Sequence, residues 1–295
     1  ALRSGRCCSF FSTIRFALPS SSTPNLYKMT VPGRFFVQKF LREARREGAT
    51  HAVIEMTSEA IVQHRHLFTY PTAVVFTNIA PEHIESHGSF ENYAAAKLKL
   101  RTLLEKSPKR PRIIVANSDD TIGREFLKAH AEIHAPYSLK EAHPHTTDEK
   151  GSRFLFRGTL FSLPLPGEFN LLNALAALTL CEALKFPFPP QKTALEKLTR
   201  IPGRVERIER GQHFTVVVDY AHTPDSLKAL YGAWKARKIC VLGNTGGGRD
   251  TWNRPLMGEI ADEYCDVAIL TNEDPYDEDP KKIIEAMAQG FSRTQ

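Results

Sequence analysis

The chain alternates short runs of β-branched and apolar residues with longer stretches of helical periodicity, and this alternation constrains its fold more than any other feature. Each short run is long enough for one strand, and the longer helical stretches suit crossovers between parallel strands. The pattern predicts an α/β protein with a mostly parallel sheet. The predicted strands are 51–56, 72–77, 112–117, 214–219, 238–243 and 267–271, and the predicted helices are 33–47, 91–106, 168–184, 191–198, 223–236, 254–264 and 280–290.

Two breaks indicate how the chain is divided into domains. Pro187, Pro189 and Pro190 follow the helix predicted for 168–184, and Pro202-Gly203 precedes a new strand–helix–strand series. Residues 1–202 and 203–295 are therefore predicted to be two domains, which suits a chain of 295 residues. The charged, His-containing stretch 141–152 is predicted to be a surface loop or hairpin.

Composition excludes several classes of protein. With 42% hydrophobic and 24% charged residues the chain is not disordered, and no apolar run reaches the ~18–20 residues of a membrane helix. A net charge of +6, spread along the chain, suits anionic small molecules as well as nucleic acid. The five cysteines are Cys7, Cys8, Cys181, Cys240 and Cys265. Their odd number and the lack of Cys-x-x-Cys spacing argue against a disulfide framework or a zinc cluster and fit a reducing cytoplasm.

Three polar residues of the predicted first domain are candidates for a functional site. Glu55 ends the strand predicted for 51–56, and His83 lies in the loop that leaves the next strand. A carboxylate and an imidazole with open positions suit a divalent metal on a nucleotide. Lys97 follows on a helix of small residues. Taken singly, these residues are better explained as a solvated strand end, a helix cap and a surface lysine.

The second domain has its own polar strand ends. Asp219 ends the strand predicted for 214–219, where an acidic residue can bond ribose hydroxyls. Thr223 and Asp225 equally suit N-terminal caps of the next helix. The glycine-rich stretch 243–250 can bring backbone N–H groups close to an anion, although it matches neither common nucleotide-binding fingerprint.

Seven segments in order resemble the Mur ligase family, the ATP-dependent amide-forming ligases of peptidoglycan precursor assembly. The resemblance spans about residue 12 to 290 and is strongest to the members that add the third stem-peptide residue. The segments are Glu55-Met-Thr-Ser-Glu-Ala-Ile-Val-Gln63-His-Arg65, Thr77-Asn78 through His83 to His87-Gly88, Lys97, Gly167 through Asn170 and Asn173 to Ala177, Pro202-Gly-Arg204-Val-Glu-Arg, Asp219-Tyr-Ala-His222-Thr-Pro224, and Gly248-Arg249-Asp250 through Arg254-Pro255 to Gly258.

The resemblance implies a fold and a set of roles. The fold is an incomplete central ATPase domain followed by a truncated Rossmann-like ligase domain, and ATP and Mg²⁺ are the implied cofactors. Glu55 and His83 become Mg²⁺ ligands, and Lys97 becomes a lysine that is carbamylated and supports a second Mg²⁺. The implied binding residues are Thr30, Thr57, Gln63 and Arg65 for the UDP-muramyl-peptide, Asn170, Asn173, Arg204 and Asp219 for ATP, and Arg249 for the incoming amino acid's carboxylate.

The implied reaction is phosphorylation of the terminal carboxylate of UDP-N-acetylmuramyl-L-alanyl-D-glutamate by ATP, followed by attack of an amino acid's amine on the acyl phosphate. Mg²⁺ and cationic side chains would offset the repulsion between triphosphate and carboxylate. We expect the protein to be a cytoplasmic monomer that binds neither membrane nor nucleic acid.

Departures from the family pattern carry expectations too. The 295 residues contain no Gly-x-x-Gly-Lys-Thr/Ser phosphate loop, so the chain is expected to be a fragment that cannot turn over ATP by itself. Where diaminopimelate-using members carry Asp-Asn-Pro-Arg, this chain has Glu273-Asp274-Pro275-Tyr276. Loss of the arginine and gain of Asp274 favour an amino acid with a distal ammonium, such as lysine, over meso-diaminopimelate.

Two other functions remain open from the sequence. The first is another ligase of the same superfamily, such as folylpolyglutamate synthetase, against which Gln63, Arg65 and Arg249 weigh. The second is a non-catalytic nucleotide- or UDP-sugar-binding relic, since a fold does not ensure chemistry. Retention of Glu55, His83 and Lys97 together argues against that relic.

Overall fold

Each predicted strand and helix has a counterpart in the computed structural model, which describes residues 7–27, 29–82, 84–198 and 200–292. The strands are β1 Cys8–Phe11, β2 Arg15–Ala17, β3 Ser22–Pro24, β4 His51–Ile54, β5 Ala73–Phe76, β6 Ile113–Asn117, β7 Ile133–Tyr137, β8 His145–Asp148, β9 Gly151–Phe156, β10 Thr159–Leu163, β11 Glu206–Ile208, β12 Val216–Val218, β13 Ile239–Leu242 and β14 Val267–Leu270. The helices are α1 Phe36–Arg46, α2 Ser58–Val62, α3 Ile84–His87, α4 Phe90–Glu105, α5 Thr121–Phe126, α6 Glu168–Ala183, α7 Phe188–Glu196, α8 Pro224–Gly232, α9 Asn253–Tyr264 and α10 Pro280–Ala288.

The chain divides into two units. Unit 1 comprises Ala1–Asn78, Tyr93–Ser138 and Ala176–Ala194, and unit 2 comprises Ile79–Asn92, Leu139–Leu175 and Leu195–Gln295. The boundary expected near residue 202 stays a prediction.

Unit 1 contains two sheets. The first has the order β3-β2-β1-β4, with β1 and β4 parallel and the other pairs antiparallel, and the second is the parallel sheet β5-β6-β7. All five residues of β6 are buried, as the central strand of a parallel sheet requires. Phe11 of β1 packs against Phe36 and Phe40 of α1, with ring centroids 5.9 and 5.3 Å apart. This aromatic cluster fixes the strand that leads into the site.

Unit 2 combines antiparallel and parallel pairs. β8, β9 and β10 form an antiparallel meander, β11 and β12 pair antiparallel, and β13 and β14 pair parallel. Of the two alternatives predicted for 141–152, a surface loop or a hairpin, the structure contains a hairpin of β8 and β9, in which Asp148 pairs with Gly151 at the turn. The antiparallel strands β2, β3, β10 and β11 were not predicted, so the sheets are more mixed than the sequence indicated. Within the described residues, no helix is both long and apolar enough to cross a membrane.

The expectation of no disulfide is wrong. Cys240 of β13 is bonded to Cys265, which follows α9, across a Cα–Cα distance of 6.1 Å. Both residues are buried in the core of unit 2, beside Leu242 and Met257. Their 25-residue separation makes no recognisable spacing, so only the packing of α9 on β13 and β14 brings them together. Cys7, Cys8 and Cys181 are free.

Candidate functional site

Glu55 lies at the carboxyl end of β4, as predicted. Its backbone N–H donates to the Phe11 carbonyl at 2.8 Å, which extends the β1–β4 pairing to this position. Its carboxylate is held by Thr13: Oε2 accepts from the Thr13 N–H at 2.8 Å, and Oε1 accepts from the Thr13 hydroxyl at 2.9 Å. A carboxylate has about four lone-pair directions, so the exposed Glu55 keeps capacity for a further ligand.

Thr30 belongs to the same hydrogen-bonded group. Its hydroxyl is 2.7 Å from the Thr13 hydroxyl, and Thr30 itself is buried. The structure therefore brings Thr30 to Glu55 through Thr13. The only indication of Thr13 in the sequence is its position two residues after the aromatic pair that ends β1.

The predicted substrate residues Thr57, Gln63 and Arg65 surround α2. Thr57 caps the helix, because its hydroxyl accepts from the Ala60 N–H at 3.3 Å, and Gln63 ends the helix with an exposed side chain. The Arg65 guanidinium donates to the Val31 carbonyl. Arg65 thus ties the end of α2 to the segment that carries Thr30.

A shallow cavity of about 320 Å³ adjoins this group. Gln38 of α1 forms part of its wall and donates to the Leu67 carbonyl at 2.5 Å, which holds the chain after α2 in place. Most of the wall is apolar, with Phe35 and Phe68 largely exposed. The complete lining is Arg34, Phe35, Gln38, His64, Leu67 and Phe68.

Lys97 lies on α4, four residues after Tyr93. Its Nζ is 4.8 Å from the centroid of the fully buried Tyr93 ring, a cation–π contact. The small residues Ala94 and Ala96 are buried on the same helix, as the sequence indicated. Lys97 is therefore half-buried and oriented by an aromatic face. His83 lies outside the described residues, so its predicted role as a metal ligand stays a prediction.

The first two predicted ATP residues lie on α6 with different exposures. Asn170 is buried, and its Nδ2 donates to the Pro166 carbonyl at 2.8 Å. Asn173, one turn later, is exposed. Asn170 therefore also fixes the start of the helix, whereas Asn173 presents its amide to solvent.

Arg204 and Asp219 are brought together beside Tyr220. The Asp219 carboxylate accepts from the Val205 N–H at 2.6 Å and from the Ala221 N–H at 2.8 Å. Val205 has a φ of 48°, which is unfavourable for a β-branched residue, and the bond to Asp219 supports it. The Arg204 guanidinium stacks 4.6 Å from the Tyr220 ring centroid. The sequence did not single out Tyr220, although it stands between two motif residues.

The loops that carry Arg249 and Asp274 lie side by side. The glycine-rich loop 243–250 follows β13, and the acidic loop 271–279 follows β14. The Gly246 N–H donates to the Asp274 carbonyl at 3.2 Å, and Thr245 bridges to Glu273 in parallel. Arg249 and Asp274 are both exposed. Parallel pairing of β13 with β14 therefore places the two predicted amino-acid contacts on adjacent loops.

Asp250 anchors the other end of the glycine-rich loop. Its buried carboxylate accepts from the Glu85 N–H at 2.9 Å, and the Glu85 carboxylate accepts from the Thr251 N–H at 2.8 Å and hydroxyl at 2.7 Å. These reciprocal hydrogen bonds connect α3 to the segment that precedes α9. Sequence reasoning included Asp250 in a motif but did not foresee this structural role.

Two protein-family profiles match consecutive parts of the chain. The profile of the Mur ligase middle domain matches residues 4–181, and that of the Mur ligase glutamate ligase domain matches residues 203–295. UDP-N-acetylmuramyl-tripeptide synthetase of Roseiflexus sp. (strain RS-1) is 36% identical over 97% of this chain and 60% of its own length. UDP-N-acetylmuramoyl-L-alanyl-D-glutamate--2,6-diaminopimelate ligase of Aquifex aeolicus (strain VF5) is 39% identical over 89% of this chain and 55% of its own.

Two solved structures of ligases superpose on this chain. A UDP-N-acetylmuramoyl-L-alanyl-D-glutamate--2,6-diaminopimelate ligase superposes with a TM-score of 0.65 at 28% identity, covering 99% of this chain and 61% of that one. A folylpolyglutamate synthase of Mycobacterium tuberculosis complexed with ADP superposes with a TM-score of 0.75 at 17% identity, covering 98% and 73%, and this likeness shows the fold alone. The chain spans about 60% of the length of the curated relatives first matched. Since the two profiles together match most of its residues, the chain belongs to the Mur ligase family.

Proposed function

We propose that this chain is the core of an ATP-dependent ligase that adds the third stem-peptide residue to UDP-N-acetylmuramyl-L-alanyl-D-glutamate in peptidoglycan precursor synthesis. The observation that carries the proposal is the environment of Glu55. A carboxylate at a strand end, fixed by Thr13 and followed by the Thr57 cap of α2, would combine an oxygen ligand for a metal with the Thr57 hydroxyl as a donor to an anionic substrate. Relatives named for this reaction are 33–39% identical to the chain.

The donor set suits Mg²⁺. Glu55 supplies an oxygen ligand of the kind that Mg²⁺ prefers, and the exposed carboxylate leaves space for water and phosphate oxygens. When bound, Mg²⁺ would offset the negative charge of the triphosphate as it approaches a carboxylate. His83 and a carbamylated Lys97 are proposed as further ligands.

The chain's own residues would orient the reactants. We assign Arg65, Gln63, Thr57 and Thr30 to the muramyl-peptide. Arg204, Asp219, Asn170 and Asn173 are assigned to ATP, with the Arg204–Tyr220 stack as a rigid cationic surface. Arg249 would hold the incoming amino acid's carboxylate through its planar, bidentate fork. The amine would then attack the acyl phosphate, and inorganic phosphate would leave.

The acidic loop favours an amino acid with a distal ammonium. Glu273, Asp274 and Asp277 are exposed on this loop, and Tyr276 stands where a diaminopimelate-binding arginine would. Carboxylates attract an ammonium and repel a second carboxylate, so we propose lysine in preference to meso-diaminopimelate. Several relatives are named as 2,6-diaminopimelate ligases. The preference for lysine over diaminopimelate therefore needs a direct test.

We further propose that the enzyme acts in the cytoplasm as a monomer, since nucleotide-linked precursors and ATP are its substrates. Disulfides are rare in that compartment, so the Cys240–Cys265 bond is the observation that weighs against this placement. Size-exclusion chromatography with light scattering tests the monomer. Differential alkylation of thiols in freshly lysed cells tests the redox state.

The test of the Glu55 assignment is a Glu55→Gln variant of the protein encoded by the complete reading frame. Glutamine keeps the size and one acceptor oxygen but loses the charge, so phosphate release should fall by roughly 100-fold while the far-ultraviolet circular dichroism stays unchanged. Glu59→Gln, in the first turn of α2, is a matched exposed control. Equal activity of Glu55→Gln and wild type would contradict the assignment.

A further inference from the structure

Arg254 is a buried cation that joins three segments of unit 2. It lies at the start of α9, and only 6% of its side chain is exposed. Its Nε donates to Oδ1 of Asn244 at 3.0 Å, and its Nη2 donates to Oε2 of Glu278 at 2.8 Å. Asn244 belongs to the glycine-rich loop and Glu278 to the acidic loop. One guanidinium therefore fixes both loops to the same helix.

The two loops also approach each other closely. A Cβ at Gly246 would lie 2.2 Å from the Pro275 carbonyl oxygen, and one at Gly247 would lie 2.8 Å from the Tyr276 ring. Gly247 also has a φ of +70°, which favours glycine. Glycine at positions 246 and 247 allows the glycine-rich and acidic loops to pack more closely than residues with a side chain would.

The acidic loop holds an unfavourable backbone conformation. Asp274 and Tyr276 have φ values of 33° and 53°, in the left-handed region that non-glycine residues rarely adopt. Such residues persist where the surroundings hold them. The Glu278 N–H closes the turn on the Pro275 carbonyl at 3.0 Å, and the Glu278 side chain is held by Arg254. The ion pair therefore supports the conformation that presents Asp274.

We propose that Arg254 is a positioning residue for the amino-acid subsite. Through Asn244 and Glu278 it sets the spacing between the loops that present Arg249 and Asp274 to the incoming amino acid. This inference rests on the proposed function, because it concerns the same subsite. Arg254 is too buried to contact the amino acid itself, so it acts on selectivity and affinity through the loops.

The test compares three variants of the protein encoded by the complete reading frame. Arg254→Met keeps the length of the side chain and removes both contacts, and Arg254→Lys keeps the charge but not the planar fork. Arg112→Met is the matched control, because Arg112 is 7% exposed and pairs with Glu132 at 2.7 Å in unit 1, whereas Arg249 and Asp274 belong to unit 2. Each variant is assayed for KM and kcat with ATP, muramyl-peptide and amino acid varied in turn.

Arg254→Met should raise the KM for the amino acid by roughly 10- to 100-fold, since small misplacements of binding groups have effects of this size. The KM values for ATP and muramyl-peptide should not change. Arg254→Lys should recover part of the loss, and Arg112→Met should leave the amino-acid KM at the wild-type value. An unchanged amino-acid KM in Arg254→Met, or an equal rise in Arg112→Met, would overturn the proposal.

Amide hydrogen exchange separates this inference from the proposed function. In Arg254→Met the Gly246 and Glu278 amides should exchange faster, while the amides of β13 keep their protection. If the wild type ligates no amino acid, the proposed function fails, and faster exchange at Gly246 still supports Arg254 as the residue that positions the loops. Unchanged exchange at both amides would refute that role irrespective of activity.

Discussion

Reduction of the Cys240–Cys265 disulfide should weaken unit 2 by an amount that follows from its position in the chain. The bond closes a loop between residues 25 apart and lies in the core beside Leu242 and Met257. In the chain-entropy treatment, a loop of this length removes about 12 cal/mol/K from the unfolded state, or about 3.5 kcal/mol at 25 °C. Reduced protein should therefore have an unfolding free energy lower by about this amount.

The assay can be confined to unit 2, because both tryptophans of the chain, Trp234 and Trp252, lie there. Urea unfolding followed by tryptophan fluorescence should show a midpoint about 1.2–3.5 M lower with reductant than without it, given a slope of about 1–3 kcal/mol/M. A Cys240→Ala/Cys265→Ala double variant should lose this response to reductant, whereas Cys181→Ser should keep it.

Two results would refute this reasoning. Titration of five reactive thiols in denatured protein purified without reductant would show that the bond does not form. A midpoint that stays constant although alkylation proves reduction would show that the loop closure contributes nothing to stability.

Further predictions concern acid stability, a turn in unit 2 and ATP turnover. Hydrogen bonds from Arg112 lower the pKa of Glu132 to about 2. The stabilisation that this pair provides is therefore present above about pH 4.5 and is lost as the pH falls towards 2. Acid unfolding of Arg112→Met, followed by circular dichroism, should lack this pH-dependent loss of stability. Asp219→Ala removes the acceptor for the Val205 and Ala221 N–H groups and should lower the unfolding free energy by about 1–3 kcal/mol in urea titrations, with Asp219→Asn less affected. The 295-residue chain lacks a phosphate loop and should release no phosphate from ATP above the buffer rate in a coupled assay, and robust hydrolysis would contradict this expectation.

Local periodicity predicted the elements with strong, uniform patterns. β6 is buried at every position and α6 carries sixteen helical residues, so propensity and burial agree over their whole length. The antiparallel strands β2 and β3 have only three residues each. Segments of that length carry too little pattern to be recognised, and their pairing depends on turns and on neighbours supplied by the fold.

In the candidate site, too, contacts that depend on the fold could not be predicted from the local sequence. Glu55, Arg204 and Asp219 could be singled out from strand ends and motifs, but their partners could not. Thr13 reaches Glu55 across 42 residues, and Glu85 reaches Asp250 across 165. Sequence spacing contains no signal for such contacts, because the fold, and not the local chain, determines them. The disulfide was missed for the same physical reason.

The central claim is best tested by amino-acid-dependent phosphate release. The protein encoded by the complete reading frame would be assayed with ATP, Mg²⁺ and UDP-N-acetylmuramyl-L-alanyl-D-glutamate across lysine, ornithine and meso-diaminopimelate, with folate plus glutamate as a separate arm. The account predicts release with the muramyl substrate that depends on one amino acid, with lysine ahead of meso-diaminopimelate. Release only in the folate arm, or none with any amino acid, would contradict it.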